Sequence, residues 1–425
     1  MKQHPLFDGM KNERGATMVI VAICIFMIIA LTALAVDIGH LVVTKNELQN
    51  AADAGALAGA RLLYLNDGLA VNPGANQTAT TAAVANTSDN TAVEVGAGDV
   101  LRGHWSFSAG EFWPNETVMT PPVLWDVSTA ELDADPNFIN AVQVTARRNT
   151  TPVTSWFARI FGFTGFQQSA TAVAYIGFAG TLQPFEVDQP IVICKEALLA
   201  TGSYSCTVGR MINSGQNIAS SETGGWTSFN QGLDDSGNLI DNPCNGGTNS
   251  QEVSGLVTTG CGGGGANPVP LILGRDMATN GGQIQSAFTT LNNCWATQTG
   301  KTQPWELTLP VVECPGNNIT TCQRLVGAVT VKVVWITGAG EDPGYNDAPT
   351  QMGDWASSDP DGSVRWNSFV THFNLENLVA DGVTGPAPYE KKSIYFLPDC
   401  SPHEPAGTSG GENFGILAKI PVLVD

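Results

Sequence analysis

The strongest constraint on this 425-residue chain is the run Ala16–Val36, which contains no charged side chain. At 1.5 Å rise per residue, a helix of that length crosses a hydrocarbon core of about 30 Å. A secretory signal has an apolar core of only ~7–15 residues, followed by a small-x-small cleavage site. The run is longer, and it passes without Gly-Pro punctuation into "DIGHLVVTKNELQNAADAGALAGARLL", where Ile38, Leu41, Leu48 and Leu62 recur at roughly helical spacing. The pattern predicts a transmembrane helix that continues out of the bilayer as a stem, together spanning residues 16–66 and about 75 Å long if it reaches Leu65. Lys2, Lys11 and Arg14 precede the run, against Asp8 and Glu13, which places the N-terminal residues 1–15 in the cytoplasm even though Lys45 and Arg61 follow.

The second half of the stem sets Ala52, Ala56 and Ala60 on one row and Ala51, Gly55 and Gly59 on the next. Small residues four apart admit another helix at close range. Ala52, Gly55, Ala56, Gly59 and Ala60 are therefore helix-packing candidates, read either as an alanine-rich face packed on its own domain or as a contact with other subunits.

Thirty-nine acidic against 19 basic residues give a net charge of −20. That excess argues against binding nucleic acid, which needs Lys and Arg to neutralise phosphates, and against docking on anionic headgroups beyond the anchor itself. With 47 glycines and 43% hydrophobic residues, the chain has room for two or three packed domains of a loop-rich β type.

Cys24 lies inside the apolar run, and the other eight cysteines, Cys194, Cys206, Cys244, Cys261, Cys294, Cys314, Cys322 and Cys400, all fall in the C-terminal half. Their even number and predicted export favour disulfides. No Cys-x-x-Cys pair exists to make a zinc knuckle or a thioredoxin-type site. Eight cysteines allow 105 connectivities. Chain proximity alone suggests Cys194–Cys206 and Cys244–Cys261, the first closing a loop worth roughly 3 kcal/mol in the chain-entropy picture.

Beyond the stem, residues 67–99 form a Thr/Ala/Asn-rich surface segment with a short helix at "ATTAAVAN". Residues 100–180 are read as a small α+β domain. "VLRGHWSFSAGEFWPN" gives strand, turn and strand with Trp105, Phe107 and Phe112 packed in a core; "FINAVQVTARRN" and "QQSATAVAYIGFAG" give two more strands around the short amphipathic helix "SWFARIFG", with Arg147 and Arg148 at a solvated strand end. Residues 181–425 are read as one mainly β, disulfide-pinned domain. Its clearest strands are "PVPLILG", "WELTLPVVEC" and "RLVGAVTVKVVWITGAG", its one helix is "GGQIQSAFTTLNNCWATQTG", and "ENFGILAKIPVLVD" closes its sheet. The fold class is thus α+β.

At this point the residues carry a resemblance. "RGATMVIVAICIFMIIALTALAVDIGHLVVTKNELQNAADAGALAGARLL" resembles the N-terminal segment of the TadE/TadG-like proteins of the Tad (Flp) pilus-assembly system, most specifically in "LQNAADAGALAGA". "NAVQVTARRNTTPVTSWFARIFGFTGFQQSATAVAYIG" is similar to the strand, short helix and strand that follow the stem in TadG-like members. The resemblance implies a non-enzymatic, single-pass protein of a bacterial inner membrane, its bulk periplasmic or surface-exposed, and its partners other Tad/Flp assembly proteins or pilins. It implies either an assembly factor or a minor pilin-like subunit; the alternatives are a pilus-borne adhesin binding glycans or cells and, more remotely, a membrane-tethered hydrolase. Pseudopilins of such systems are cut after a Gly and carry Glu at the fifth mature position, whereas cleavage after Gly15 puts Ile20 there. The von Willebrand A domain of many TadG proteins needs Asp-x-Ser-x-Ser after an apolar strand, and the nearest string, "DDSGN" from Asp234, ends in Asn238.

No catalytic template is complete. "TGKTQ" has Trp295 where a phosphate loop needs its first Gly, "PHEPAG" lacks the second His of a zinc-protease helix, and no Gly-x-Ser-x-Gly elbow occurs. His104, His372 and His403 have no motif around them, and a general base needs a positioned partner. The best candidate for a ligand is "GAGEDPGYNDAPTQMGDWASSDPDGS", where Asp342, Asp347, Asp354, Asp359 and Asp361 join Glu341 in oxygen-rich turns. These are Ca²⁺ candidates or a solvated acidic loop; Ca²⁺ takes 6–8 oxygen ligands, and the EF-hand order is missing. No other cofactor and no small-molecule substrate is expected.

Overall fold

The computed structural model describes residues 13–65, 68–120, 127–200, 203–204, 224–232, 248–282, 284–315, 319–336, 348–375, 394–397 and 399–424. Helix α1 runs unbroken from Glu13 to Arg61, 49 residues and about 73 Å. Up to Val36 its large apolar side chains stand exposed, as on a helix whose neighbour is lipid. Beyond that point one face turns inward. Asp37, Thr44, Leu48, Ala51, Ala52, Gly55, Ala56, Gly59 and Ala60 are buried at a spacing of three and four residues, the stripe of an amphipathic helix on a core.

Helix α2, Ala75–Val84, confirms the short helix expected in the surface segment and buries Ala75, Ala79 and Ala83. A tight hairpin follows, with Thr87–Ser88 paired on Thr91–Ala92. Its two central residues, Asp89 and Asn90, have φ of 49° and 55°, the left-handed pair of a type I′ turn.

Strands β1, Val100–Ser106, and β2, Glu111–Pro114, turn at Gly110, φ 67°. The aromatics were expected inside, yet Trp105 and Phe112 are half-buried and Phe107 is exposed. Arg102, His104 and Ser106 fill the buried face instead. Polar groups are stable there because partners meet them: Arg102 Nη2 donates to the Glu116 carbonyl at 2.6 Å, and the His104 ring nitrogens face the Phe138 and Asp133 carbonyls at 2.8 and 2.9 Å.

The short helix α3, Thr129–Ala134, opens on a Ser128–Glu131 capping box. The long strands β3, Ala141–Thr154, and β4, Gly165–Phe178, pair antiparallel. They are joined by a single 3-10 turn at Ala158–Phe161 rather than an amphipathic α-helix. The last strand of the chain, Lys419–Val424, pairs antiparallel on β4, from Lys419 opposite Phe178 to Val424 opposite Val173. The five-stranded order is therefore Lys419–Val424, β4, β3, β1, β2. This corrects the expectation that the chain end closes the C-terminal domain: it covers the edge of β4, whose bare backbone would otherwise be a template for another strand.

The second core is built from β5, Ile191–Cys194; β6, Gly224–Thr227; α4, Ser250–Gly260; β7, Asp276–Asn280; α5, Gln285–Thr299; β8, Trp305–Val312; β9, Cys322–Ile336; α6, Gly362–His372; β10, Ile394–Phe396; and β11, Ser401–Pro402. The strand order is β7, β6, β5, β8, β9, β10, with β11 also on β9. The first residues of β9 pair back on β7, so five strands close into a ring. Only β5 with β8 is parallel among these pairs. Trp335 stacks on Tyr395 at 5.0 Å, and Trp366 from α6 meets Tyr395 edge-on at 5.3 Å. Helix α5 stands where its periodicity predicted, whereas α4 and α6 were not expected. Their Ser-, Thr- and Gly-containing sequences have modest helix propensity, and side-chain caps at Asn249 and Asp361 start them.

Disulfides pin this core, but not between chain neighbours. Cys194 bonds Cys314, because β5 and β8 lie side by side and Cys194 faces Val312 in register. Cys261 bonds Cys294, joining the end of α4 to α5. Both proximity pairings are thereby corrected. Cys322 and Cys400 each take part in a disulfide as well, Cys24 is free, and Cys206 and Cys244 lie outside the described residues.

Candidate functional site: the stem helix and its two anchorages

The small-residue rows of α1 face inward. A Cβ added at Gly55 would stand 2.9 Å from the Ala79 carbonyl oxygen and from Ala83 Cβ; one at Gly59 would stand 2.9 Å from Ala79 Cβ and Val142 Cγ1. Ala52, Ala56 and Ala60 are fully buried in the same core. The five packing residues thus seat the stem between α2 and the sheet. The face that would have met another stem is occupied by the stem's own domain.

At the lower anchorage, Asp37 is the first charged residue after the apolar run and only 4% exposed. Its carboxylate accepts from the backbone N–H groups of Trp156 at 2.9 Å, Phe157 at 3.1 Å and Ala158 at 2.6 Å. These donors open the 3-10 turn at the β3–β4 tip, where no intrahelical acceptor exists for them. One helical turn on, the His40 ring stacks on Trp156 at 4.9 Å, and its Nε2 lies 3.1 Å from Asp89. Ser88 Oγ then donates to the Thr44 carbonyl, and Asp89 N–H to Glu47. Asp37→Ala is expected to raise amide exchange at Trp156–Ala158 about tenfold or more, since three donors lose a charged acceptor; hydrogen-exchange mass spectrometry of the full chain in nanodiscs checks it, and unchanged exchange would mean that the carboxylate does not hold the tip.

A second carboxylate holds the bulge in β3. The pairing with β4 shifts register between Arg148 and Val153, and Glu94 accepts from the freed N–H groups of Asn149, Thr150 and Thr151 and from Thr151 Oγ1. Desolvation pushes its pKa up, but the Thr150 and Thr151 donors outweigh it and leave it at about 2, below the ordinary 4.5. Because the folded-state value is depressed, the stabilisation is complete above about pH 4.5 and is lost as pH falls from there towards 2. The difference in urea midpoint between the native chain and Glu94→Gln should accordingly be constant from pH 7 to 5 and shrink below; a constant difference down to pH 3 would contradict it. Arg148, expected at a solvated strand end, is buried beside this bulge and donates to the Ser88 and Thr151 carbonyls.

The upper anchorage joins the stem to the second core. Arg61 in the last turn of α1 makes a bidentate pair with Glu404, Nε at 2.7 Å and Nη2 at 2.8 Å. Lys419 Nζ donates to the Arg61 carbonyl at 3.1 Å, capping the helix C-terminus. Burial pushes the Lys419 ammonium down from its ordinary value while Glu404 draws it back up.

Among the described residues, the remaining candidates do not converge. Asp361 caps α6 through the Ser363 N–H, Asp359 accepts from the Asp361 N–H, and Asp354 pairs with His372 at 2.9 Å on the surface. Asp342 and Asp347 lie outside the described residues, as does the Asp234–Asn238 string. His403 rests on Glu186 at 2.8 Å. Cys194, Glu196 and Cys314 come within metal-ligand reach of one another, but the two sulfurs are bonded together, and Glu196 accepts from the Cys314 N–H at 3.0 Å. A groove of about 260 Å³ lined by Phe107, Asp133, Tyr175 and Gly410 contains no histidine. In the sequence Asp37 carries no motif; its place as the first charge after the run, on one helical face with His40 and Thr44, is the signal that marks it.

Residues 15–62 match the family model described as Flp pilus-assembly TadE/G-like, and residues 58–174 match the one described as Tad-like Flp pilus-assembly. The two meet at the top of the stem and together cover α1, α2 and the sheet as far as β4. No curated protein and no solved structure matches the chain.

Proposed function

We propose, for a chain that matches the TadE/G-like family model over residues 15–62 and the Tad-like one over residues 58–174, that it is a non-enzymatic, membrane-anchored component of Flp-type pilus assembly, retained as an assembly factor rather than built into the fibre. The observation that carries this reading is the continuous helix α1, which leaves the apolar run and becomes the central element of the first core with no hinge between. Such a post transmits force and fixes the height of the C-terminal domain above the membrane. The intramolecular seating of Gly55 and Gly59 also favours an assembly factor, because a fibre subunit offers its stem to its neighbours. In this reading the N-terminus is cytoplasmic, the bulk of the chain lies beyond a bacterial inner membrane where disulfides form, and its partners are other Tad/Flp proteins or pilins.

Intact-mass analysis under non-reducing conditions tests it, on protein recovered from membranes and from sheared surface fibres. Retention of residues 1–15 in the membrane fraction alone is the expected result. A chain beginning at Ala16 and found in fibres would make it a pilin-like subunit and overturn the proposal.

A further inference from the structure

The β3–β4 tip carries five large apolar side chains that the domain leaves uncovered. Trp156 is 57% exposed, Phe157 39%, Ile160 77%, Phe161 77% and Phe163 58%. A patch this dense on a folded domain marks a contact surface. Its position is set by Asp37, whose carboxylate holds the Trp156, Phe157 and Ala158 amides and which directly follows the uncharged run. On α1 the flanking Leu34, Val36 and Ile38 are exposed too, so apolar surface continues from the tip onto the span.

We infer that this tip lies in the interfacial layer of the non-cytoplasmic leaflet, with Trp156, Phe157, Ile160, Phe161 and Phe163 immersed at the boundary of headgroups and acyl chains. The inference rests on the reading of Ala16–Val36 as a membrane span. Lipid is the occupant because the patch is fastened at the level where the helix leaves the hydrocarbon, and any protein partner would have to displace lipid already there. Trp is favoured at that depth, and Trp and Phe make up the apolar face of amphipathic anchors, which sits about 5–10 Å into it. Arg159, exposed on the same turn, reaches outward to the phosphate layer. Asp37 tolerates the location because three N–H donors replace its water. The net charge of −20 opposes approach to anionic lipid, so the insertion is driven by apolar burial and proceeds on zwitterionic bilayers. A second point of contact keeps the domain from swinging about the exit of its own helix.

The test uses the full chain in phosphatidylcholine vesicles containing lipids with a shallow doxyl quencher for labels at 160, 161 and 258, and with a deep one for a label at Cys24. An environment-sensitive fluorophore is attached, without reduction, to Phe161→Cys, to Ile160→Cys or, as a remote control, to Thr258→Cys on α4, each in a Cys24→Ser background, or to native Cys24 in the otherwise unaltered chain. Labels at 160 and 161, placed about 5–10 Å into the boundary, should be quenched, while the label at 258 keeps its emission. If labels at 160 and 161 behave like that at 258 while the Cys24 label is quenched, the inference fails and the span stands. If the Cys24 label is also unquenched, the span reading fails and the inference with it.

Discussion

Leucine at Gly59 is expected to destabilise the first core strongly, whereas alanine at Gly39 on the same helix should stabilise it. At Gly59 even a Cβ meets Ala79 Cβ and Val142 Cγ1 at 2.9 Å, and a leucine would push α1 away from α2 and the sheet together. Overpacking of this kind costs roughly 3 kcal/mol or more, a large share of the ~5–15 kcal/mol that holds a domain folded. Gly39 has nothing within 4 Å of its Cβ position, so alanine there gains about 0.5–1 kcal/mol of helix propensity and costs no packing. Denaturant titration of the full chain in detergent, followed by near-ultraviolet circular dichroism, separates the two. A Gly59→Leu chain as stable as the native one would mean that the stem is not seated where Ala79 and Val142 place it.

The second large effect lies in the other core. Cys194→Ser with Cys314→Ser opens a closure across 120 residues, which the chain-entropy picture values at about 5 kcal/mol. Cys261→Ser with Cys294→Ser opens one across 33 residues, valued at about 4 kcal/mol. The urea midpoint of tryptophan fluorescence should therefore fall for both and further for the first, since Trp226, Trp295, Trp335 and Trp366 all report on this core. A reversed order would show that strain or residual structure in the unfolded chain, rather than loop closure, governs these bridges.

Much of the stem is legible in the sequence. Length without charge, helical spacing beyond the run and the small-residue rows are local properties, and they led to α1, to Ala52, Gly55, Ala56, Gly59 and Ala60, and to the family resemblance. The short helix α2, the strands β3 and β4 and helix α5 were readable for the same reason. Helices α4 and α6 were not: their propensities are weak, and what fixes them is burial of Val253 and Val257 in the second core, where α4 lies along α5, and of Trp366 and Phe369 against Trp335 of β9 and Tyr395 of β10.

What the chain's order of residues determined by itself was therefore a helix long and apolar enough to cross a membrane and the stem that continues it, because each depends on neighbours a few positions apart. Tertiary structure alone decided which cysteine meets which, that Lys419–Val424 pairs with β4 across some 240 positions of sequence, that polar Arg102 and His104 are buried while Phe107 is exposed, and that the small-residue face serves its own domain. Those outcomes depend on strand register and on which backbone groups stand opposite a buried side chain. Neither quantity is encoded in local periodicity, because each is set by the closure of a sheet whose strands lie far apart along the chain.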